Sequence, residues 1–169
     1  MPDLMGDKIY MYKILLVDDE ILVRDAIRGE TLTGKAWDCE LVGDCENGRQ
    51  AVEFVQSHKV DVVLTDICMP YMDGMELSEF LHDNYPDILI VIFSGFGEFE
   101  YAKKAIRYNV SEYMLKPVTA MELTKVLRNM KEKLDSRKKN RKKWNPCRRL
   151  QRIITRMWMS SGRRHWRLL

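Results

Sequence analysis

Four short apolar runs of this sequence end at, or lead directly into, polar residues of the types that phosphoryl transfer requires. In chain order these residues are Asp18, Asp19, Asp66, Ser94 and Lys116. Two adjacent carboxylates and a separate carboxylate suit Mg²⁺, which prefers oxygen ligands. A hydroxyl and an ammonium suit the oxygens of a phosphoryl group. The set therefore indicates Mg²⁺-assisted phosphoryl transfer, provided that the fold brings its members together.

The apolar runs alternate with segments of helical periodicity, a pattern typical of strands buried on both faces of a parallel sheet. We predict strands at residues 13–17, 40–44, 60–66, 88–93 and 110–115. We predict helices at residues 21–32, after Gly48, after Gly74, at residues 99–108 and after Thr119. The expected fold is α/β, a doubly wound five-stranded parallel sheet of flavodoxin-like strand order 2-1-3-4-5. Ligands bind beyond the carboxyl ends of such strands, where the five polar residues should meet.

Two of the predicted helices carry more detailed expectations. In the first helix the residues expected to face the core are Ile21, Leu22, Ala26 and Ile27. In the last helix Thr119 is the predicted N-cap and Glu122 stands at the capping-box position. The buried side of that helix should be formed by Leu123, Val126, Leu127, Met130 and Leu134.

Each polar residue also has an ordinary structural explanation. Acids such as Asp18 and Asp19 favour the start of a helix, and Ser94 before Gly95 is common turn chemistry. Lys116 before Pro117 could simply end a strand, although a cis bond there would aim the lysine side chain. Carboxylates crowded at one edge, however, repel one another unless a cation neutralises them. The joint occurrence of all five at successive strand ends therefore favours a functional site.

Four motifs give the chain a specific resemblance. They are VDDE at residues 17–20, DICMPYMDG at 66–74, FSG at 93–95 and LKP at 115–117. Together they resemble the receiver domain of a two-component response regulator over roughly residues 12–134. Residues 96–106 and 112–118 also resemble the corresponding segments of response regulators that end in an AraC-type helix-turn-helix domain.

The resemblance implies a role for each site residue. Asp66 would be the phosphoacceptor, and Asp18, Asp19, Asp66 and the backbone carbonyl of Cys68 would hold Mg²⁺. Lys116 would pair with Asp66 and later with its phosphoryl group.

Ser94 would then hydrogen-bond the phosphoryl group, and Tyr113 would occupy the aromatic switch position. Self-dephosphorylation should be slow, because Cys68 and Phe96 stand where the family often has polar side chains that orient a water.

The implied partners follow from the same family. The donor would be the phosphohistidine of a sensor histidine kinase, and the phosphorylated protein would dimerise through its last two helices and strand five. The parent role would be control of transcription, with DNA contacted only through an effector domain that is missing from this sequence. A cytoplasmic location is expected, with the four cysteines reduced and no membrane span.

The net charge of +3 is the sum of an acidic N-terminal part and a shorter basic C-terminal part. Residues 1–136 carry 15 basic and 25 acidic side chains, whereas residues 137–169 carry 13 basic and none that is acidic. We therefore predict an N-terminal extension at residues 1–11, a receiver domain at 12–135 and a basic tail at 136–169. The tail is expected to be disordered or the product of a shifted reading frame. If residues 142–169 are back-translated and read again from one base upstream, the permitted codons allow a sequence with the apolar stripe of an amphipathic helix.

Two other functional classes stay open at this point. A tail with 13 basic residues and three of the four tryptophans suits single-stranded nucleic acid. A phosphatase of the haloacid-dehalogenase type would also use an aspartate nucleophile, Mg²⁺ and a lysine. That class requires a second acid two residues after the nucleophile, where this sequence has Cys68 after Asp66.

Overall fold

A computed structural model describes residues 11–30, 38–95 and 108–143 of the chain. Within these residues there are five strands and four helices. In chain order they are β1 (Tyr12–Val17), α1 (Ile21–Glu30), β2 (Cys39–Cys45), α2 (Gly48–Ser57), β3 (Val62–Asp66), α3 (Gly74–Asn84), β4 (Leu89–Ser94), β5 (Glu112–Leu115) and α4 (Ala120–Lys143). The helix predicted at residues 99–108 lies, except for its last residue, outside the described part of the chain.

The five strands form one sheet in the order β2-β1-β3-β4-β5, and every neighbouring pair is parallel. Fold class and strand order are therefore confirmed. The three central strands β1, β3 and β4 are buried almost throughout, as their apolar composition predicts. Because the strands are parallel, their carboxyl ends all reach the same edge of the sheet.

Helices α3 and α4 begin with side chains that satisfy free backbone N–H groups. Asp73 accepts hydrogen bonds from Met75 and Glu76, and the Glu76 side chain accepts one from the Asp73 backbone. The predicted capping box of the last helix is confirmed, because the Glu122 carboxylate accepts from the Thr119 backbone N–H at 3.0 Å. Glu122 in turn donates its N–H to the Thr119 hydroxyl at 3.3 Å. These caps fix where each helix leaves the edge that carries the site.

The predicted inward face of α1 is wrong at three of its four positions. Ile27 is buried, but Ile21 and Leu22 are 61% and 78% exposed, and Ala26 is exposed as well. The inward position one turn before Ile27 belongs instead to Arg24, whose side chain is buried against acidic partners. Acidic residues at the end of β2 let a cation occupy a position that periodicity assigns to an apolar side chain.

The chain divides into two compact units, Met1–Lys131 and Glu132–Leu169. The first contains the whole sheet, and helix α4 continues from it into the second. The predicted boundary at residue 136 falls inside this helix, which extends to Lys143. Lysine and arginine are good helix formers and are favoured near a helix C-terminus, which explains a basic helical end. The rest of the tail, residues 144–169, lies outside the described residues.

No helix in the described part of the chain has the length and hydropathy to cross a membrane.

Candidate functional site

Backbone hydrogen bonds continue beyond the strand ends and align the residues that follow them. The Asp18 N–H, directly after β1, donates to the carbonyl of Cys45, the last residue of β2, at 3.1 Å. Between β4 and β5, the Lys116 N–H donates to the Ser94 carbonyl at 2.7 Å. Asp66 pairs in register with Phe93 of β4. These bonds bring the predicted site residues of four strands to one edge.

Lys116 joins the two buried carboxylates of the site. Its Nζ lies 3.0 Å from Asp18 Oδ2 and 3.2 Å from Asp66 Oδ1. Burial alone would lower the pKa of Lys116, but the hydrogen bond to Asp18 and the charges of Asp18 and Asp66 outweigh it and raise that pKa. Lys116 is therefore a fixed cation under physiological conditions. The predicted contact with Asp66 is present, and the contact with Asp18 was not foreseen.

The environment of Asp66 disfavours the negative charge of its ionised carboxylate. Burial raises the pKa of Asp66, Lys116 counteracts that effect, and the neighbouring charge of Asp18 raises it further. The net direction is upward, so the lysine does not fully compensate for burial next to a second carboxylate. A carboxylate held in this way gains from any further positive charge placed beside it.

The three predicted metal ligands lie close enough to share one ion. Carboxylate oxygens of Asp18, Asp19 and Asp66 lie within 4.8 Å of one another, with Asp19 exposed and the other two buried. All three donors are oxygens, and burial, together with the neighbouring charge of Asp18, raises the pKa of Asp66 despite the contact with Lys116. These residues therefore fit a divalent cation of the Mg²⁺ type, which leaves positions for water and phosphate.

Ser94 and Tyr113 are held on β4 and β5. Ser94 is fully buried, and its hydroxyl donates to the Gly95 carbonyl at 3.0 Å. Tyr113 is partly buried and packs against the hydrophobic core that lies under α2 and α3. The Lys116–Pro117 peptide bond is cis, the geometry that sequence analysis considered. Phe96 lies outside the described residues.

The loop after Asp66 is held so closely that only glycine fits at residue 74. The Gly74 N–H donates to the Ile67 carbonyl at 2.8 Å, and a Cβ added to Gly74 would stand 1.9 Å from the Asp66 carbonyl oxygen. Thr65 donates its hydroxyl to the same oxygen at 2.9 Å. Cys68, in this loop, is exposed. Gly74 thus fixes the backbone that carries the Asp66 carboxylate.

Two residues that shape the site were not recognised from the sequence. Gly74 was expected only to end a motif and to precede a helix, although a glycine at the start of a helix, where it costs conformational entropy, is a sign of close backbone approach. Arg24 was not noted at all. The signal for Arg24 was a charged residue three positions before the buried Ile27, but without the acids of β2 in view it suggests only a solvated helix face.

Replacing Gly74 by alanine should destabilise the domain by about 3 kcal/mol, since the new Cβ forces the Asp66 backbone to shift. Gly29→Ala is the matched control, because nothing lies within 4 Å of the position of its Cβ and alanine favours a helix by about 0.5–1 kcal/mol. Urea unfolding of both variants measures the difference. Equal stability of the two variants would show that the 1.9 Å approach does not constrain the loop.

Asp66→Asn should raise the melting temperature at neutral pH in metal-free buffer, since it removes a carboxylate whose pKa is raised by burial. A raised folded-state pKa contributes stability below the ordinary value of 3.8, and that stability is lost as the pH rises through the folded pKa. The advantage of the variant should therefore be present at pH 7 and disappear below pH 3.8. Thermal unfolding across this range measures it, with Asp61→Asn as control; a pH-independent gap would show that burial of the Asp66 charge is not the cause.

Comparison with known proteins identifies the family. Residues 14–128 match the response regulator receiver domain. The uncharacterized transcriptional regulatory protein YesN of Bacillus subtilis is 37% identical over 133 residues, which cover 79% of this chain and 36% of YesN. The transcriptional regulatory protein HptR of Staphylococcus aureus is 30% identical over 139 residues, covering 81% of this chain and 54% of HptR. The chain thus spans about half, or less, of the length of these relatives.

A solved structure agrees with the sequence matches. The receiver domain of AraT, a response regulator from Geobacillus stearothermophilus, superposes with a TM-score of 0.71 at 35% identity and covers 76% of this chain and 98% of its own. A two-component AraC regulator from Clostridium phytofermentans gives a TM-score of 0.64 at 30% identity, covering 74% of this chain and 96% of its own. The sheet order, the motif positions and these matches lead to one conclusion: this chain belongs to the receiver domain family of two-component response regulators.

Proposed function

We propose that the chain is the phosphoacceptor module of a two-component signalling system and takes a phosphoryl group from a sensor histidine kinase onto Asp66. The observation that carries the proposal is the position of Asp66, which is buried, lies 3.2 Å from the ammonium of Lys116 and shares a carboxylate cluster with Asp18 and Asp19. An attacking carboxylate, a fixed cation and a candidate metal site thus meet at one point.

The site residues account for the chemistry of the transfer. A carboxylate oxygen of Asp66 attacks the phosphorus of a phosphohistidine, the P–N bond breaks, and the imidazole leaves with the electron pair. The oxygens of the transferred phosphoryl group carry negative charge. Lys116 lies beside the attacking carboxylate and would neutralise part of that charge. Mg²⁺, held by Asp18, Asp19, Asp66 and the Cys68 carbonyl, would neutralise charge on the same oxygens.

The output of the site is a change in contacts, with no turnover. The acyl phosphate on Asp66 would draw Lys116 and the Ser94 hydroxyl towards its oxygens. Ser94 would then give up its hydrogen bond to Gly95, and Tyr113 on the neighbouring strand would repack. Phosphorylation biases such a two-state equilibrium only by the extra contacts that the active state makes.

Three features of the wider proposal rest on the family. Receiver domains interact with histidine kinases, and the relatives named as transcriptional regulators suggest control of transcription through a separate DNA-binding domain. Dimerisation through β5 and the last two helices also belongs to the proposal; the first of these helices, predicted at residues 99–108, lies outside the described residues except for its last residue. Sedimentation of the protein before and after phosphorylation measures it. A cytoplasmic location is supported by Cys39, Cys45 and Cys68, which are not joined in disulfides.

The alternatives have less support. A phosphatase of the haloacid-dehalogenase type requires an acid at the position of Cys68, and the receiver family is not generally one of catalytic enzymes. Nucleic-acid binding by the tail depends on residues 144–169, which lie outside the described part of the chain.

Incubation with a small phosphodonor and Mg²⁺ tests the proposal. The wild-type protein should gain one acid-stable, base-labile phosphoryl group, and Asp66→Asn should gain none, since an amide cannot attack phosphorus. Asp61→Asn is the matched control: Asp61 also flanks β3, but at its other end, where its carboxylate accepts the Lys13 N–H. Intact-mass measurement gives the stoichiometry. Full labelling of Asp66→Asn would refute the assignment, and many turnovers of the donor would favour a phosphatase.

The lifetime of the label is a further outcome of the same experiment. Slow loss is expected, since the thiol of Cys68 orients water poorly and cannot act as Asn or Glu would. The decay curve measures it, and loss within seconds would contradict the expectation.

A further inference from the structure

Arg24 is a buried cation on the side of α1 that faces the sheet, with only 5% of its surface exposed. A buried guanidinium is costly unless charged or polar partners surround it. Its position next to the candidate site therefore requires an explanation from its contacts.

The three nitrogens of the Arg24 guanidinium face three different residues. Nη1 donates to the backbone carbonyl of Asp18 at 2.5 Å. Nε lies 3.1 Å from Asp44 Oδ2, an ion pair without a hydrogen bond, and Nη2 lies 3.5 Å from Glu46 Oε1. Asp44 belongs to β2 and Glu46 follows it, so the two acids orient the guanidinium while its remaining nitrogen reaches the β1–α1 loop. The rigid planar fork of arginine suits this arrangement, whereas lysine offers a single point of charge.

The carbonyl that Arg24 binds belongs to the peptide group between Asp18 and Asp19. The other side of Asp18 is fixed too, because its N–H donates to the Cys45 carbonyl. Its carboxylate is also restrained, since Oδ1 accepts the Glu20 N–H at 2.9 Å and Oδ2 accepts from Lys116. Rotation of the Asp18–Asp19 peptide would turn the exposed Asp19 carboxylate relative to the buried one. Arg24 is thus placed to fix the angle between these two carboxylates.

We infer that Arg24 is a positioning residue for the divalent cation: it orients the Asp18–Asp19 peptide so that both carboxylates face one ion. The inference rests on the proposed metal role of Asp18, Asp19 and Asp66. Groups that orient metal ligands from outside the coordination sphere typically change metal affinity 10- to 100-fold when they are replaced.

The chain supplies a matched control in Arg28, one turn further along α1. Arg28 also pairs with Asp44, and with Asp25, but its side chain is 50% exposed. Arg28→Gln therefore weakens the ion pairing between α1 and β2 without removing the contact to the Asp18 carbonyl. A role of Arg24 in helix packing alone predicts similar behaviour of the two variants, whereas a positioning role predicts different behaviour.

Isothermal titration calorimetry with Mg²⁺ on the full chain separates these roles. Arg24→Gln should raise the dissociation constant for Mg²⁺ at least tenfold, and Arg28→Gln should change it less than twofold. Arg24→Lys should give a smaller loss of several-fold, since one ammonium cannot serve three partners.

The outcomes distinguish a positioning role of Arg24 from a role in helix packing, and both from the absence of a metal site. If Arg24→Gln does not fold, Arg24→Lys decides, and a change below twofold in that variant overturns the inference. An equal loss in Arg28→Gln also overturns it, because the effect would then belong to helix packing. Absence of Mg²⁺ binding by the wild-type protein would instead refute the metal site itself, before Arg24 comes into question.

Discussion

The ion pairs of Lys116 are the interaction on which the site depends. One ammonium stands between two buried carboxylates, at 3.0 Å from Asp18 and 3.2 Å from Asp66. With the nearby Asp19 the cluster has three acids and one base, so it retains an excess of negative charge. In a partly desolvated site such an excess is costly. Burial, and after it the charge of Asp18, disfavours the ionised form of Asp66, so a divalent cation beside these carboxylates would be stabilising.

The parallel sheet makes this charge arrangement possible. β1, β3 and β4 are buried almost completely, and apolar packing holds their carboxyl ends in fixed register. The acids and the lysine are far apart in sequence, yet each lies in a strand or within two residues of its end. Apolar burial of the strands therefore offsets the cost of bringing like charges together, and the polar groups at the edge contribute specificity more than stability.

Much of this arrangement could be predicted from sequence, because it depends on features that are local. The apolar runs set the strands, short connections set their order, and the Thr119–Glu122 box set the start of the last helix. The inward face of α1 could not be predicted, since Arg24 is buried only because Asp44 and Glu46 come from another strand. The contact of Lys116 with Asp18 joins residues 98 positions apart and likewise required the fold.

The contacts observed at the edge also bear on how a phosphoryl group could act as a switch. Lys116 already has two carboxylate partners, and the Ser94 hydroxyl already has an acceptor in Gly95. New contacts to phosphoryl oxygens would therefore replace existing ones, and the free-energy gain would be the difference between the two sets. Charge-assisted bonds to a phosphoryl group are stronger than a neutral bond to a carbonyl, so the exchange at Ser94 favours the phosphorylated arrangement. For Lys116 one carboxylate partner would be exchanged for a more highly charged group, while the contact with Asp18 would remain. Under the proposed function, Ser94 would exchange its bond to Gly95 for one to the phosphoryl group, whereas Lys116 would keep its contact with Asp18 and serve as the fixed point about which the edge rearranges.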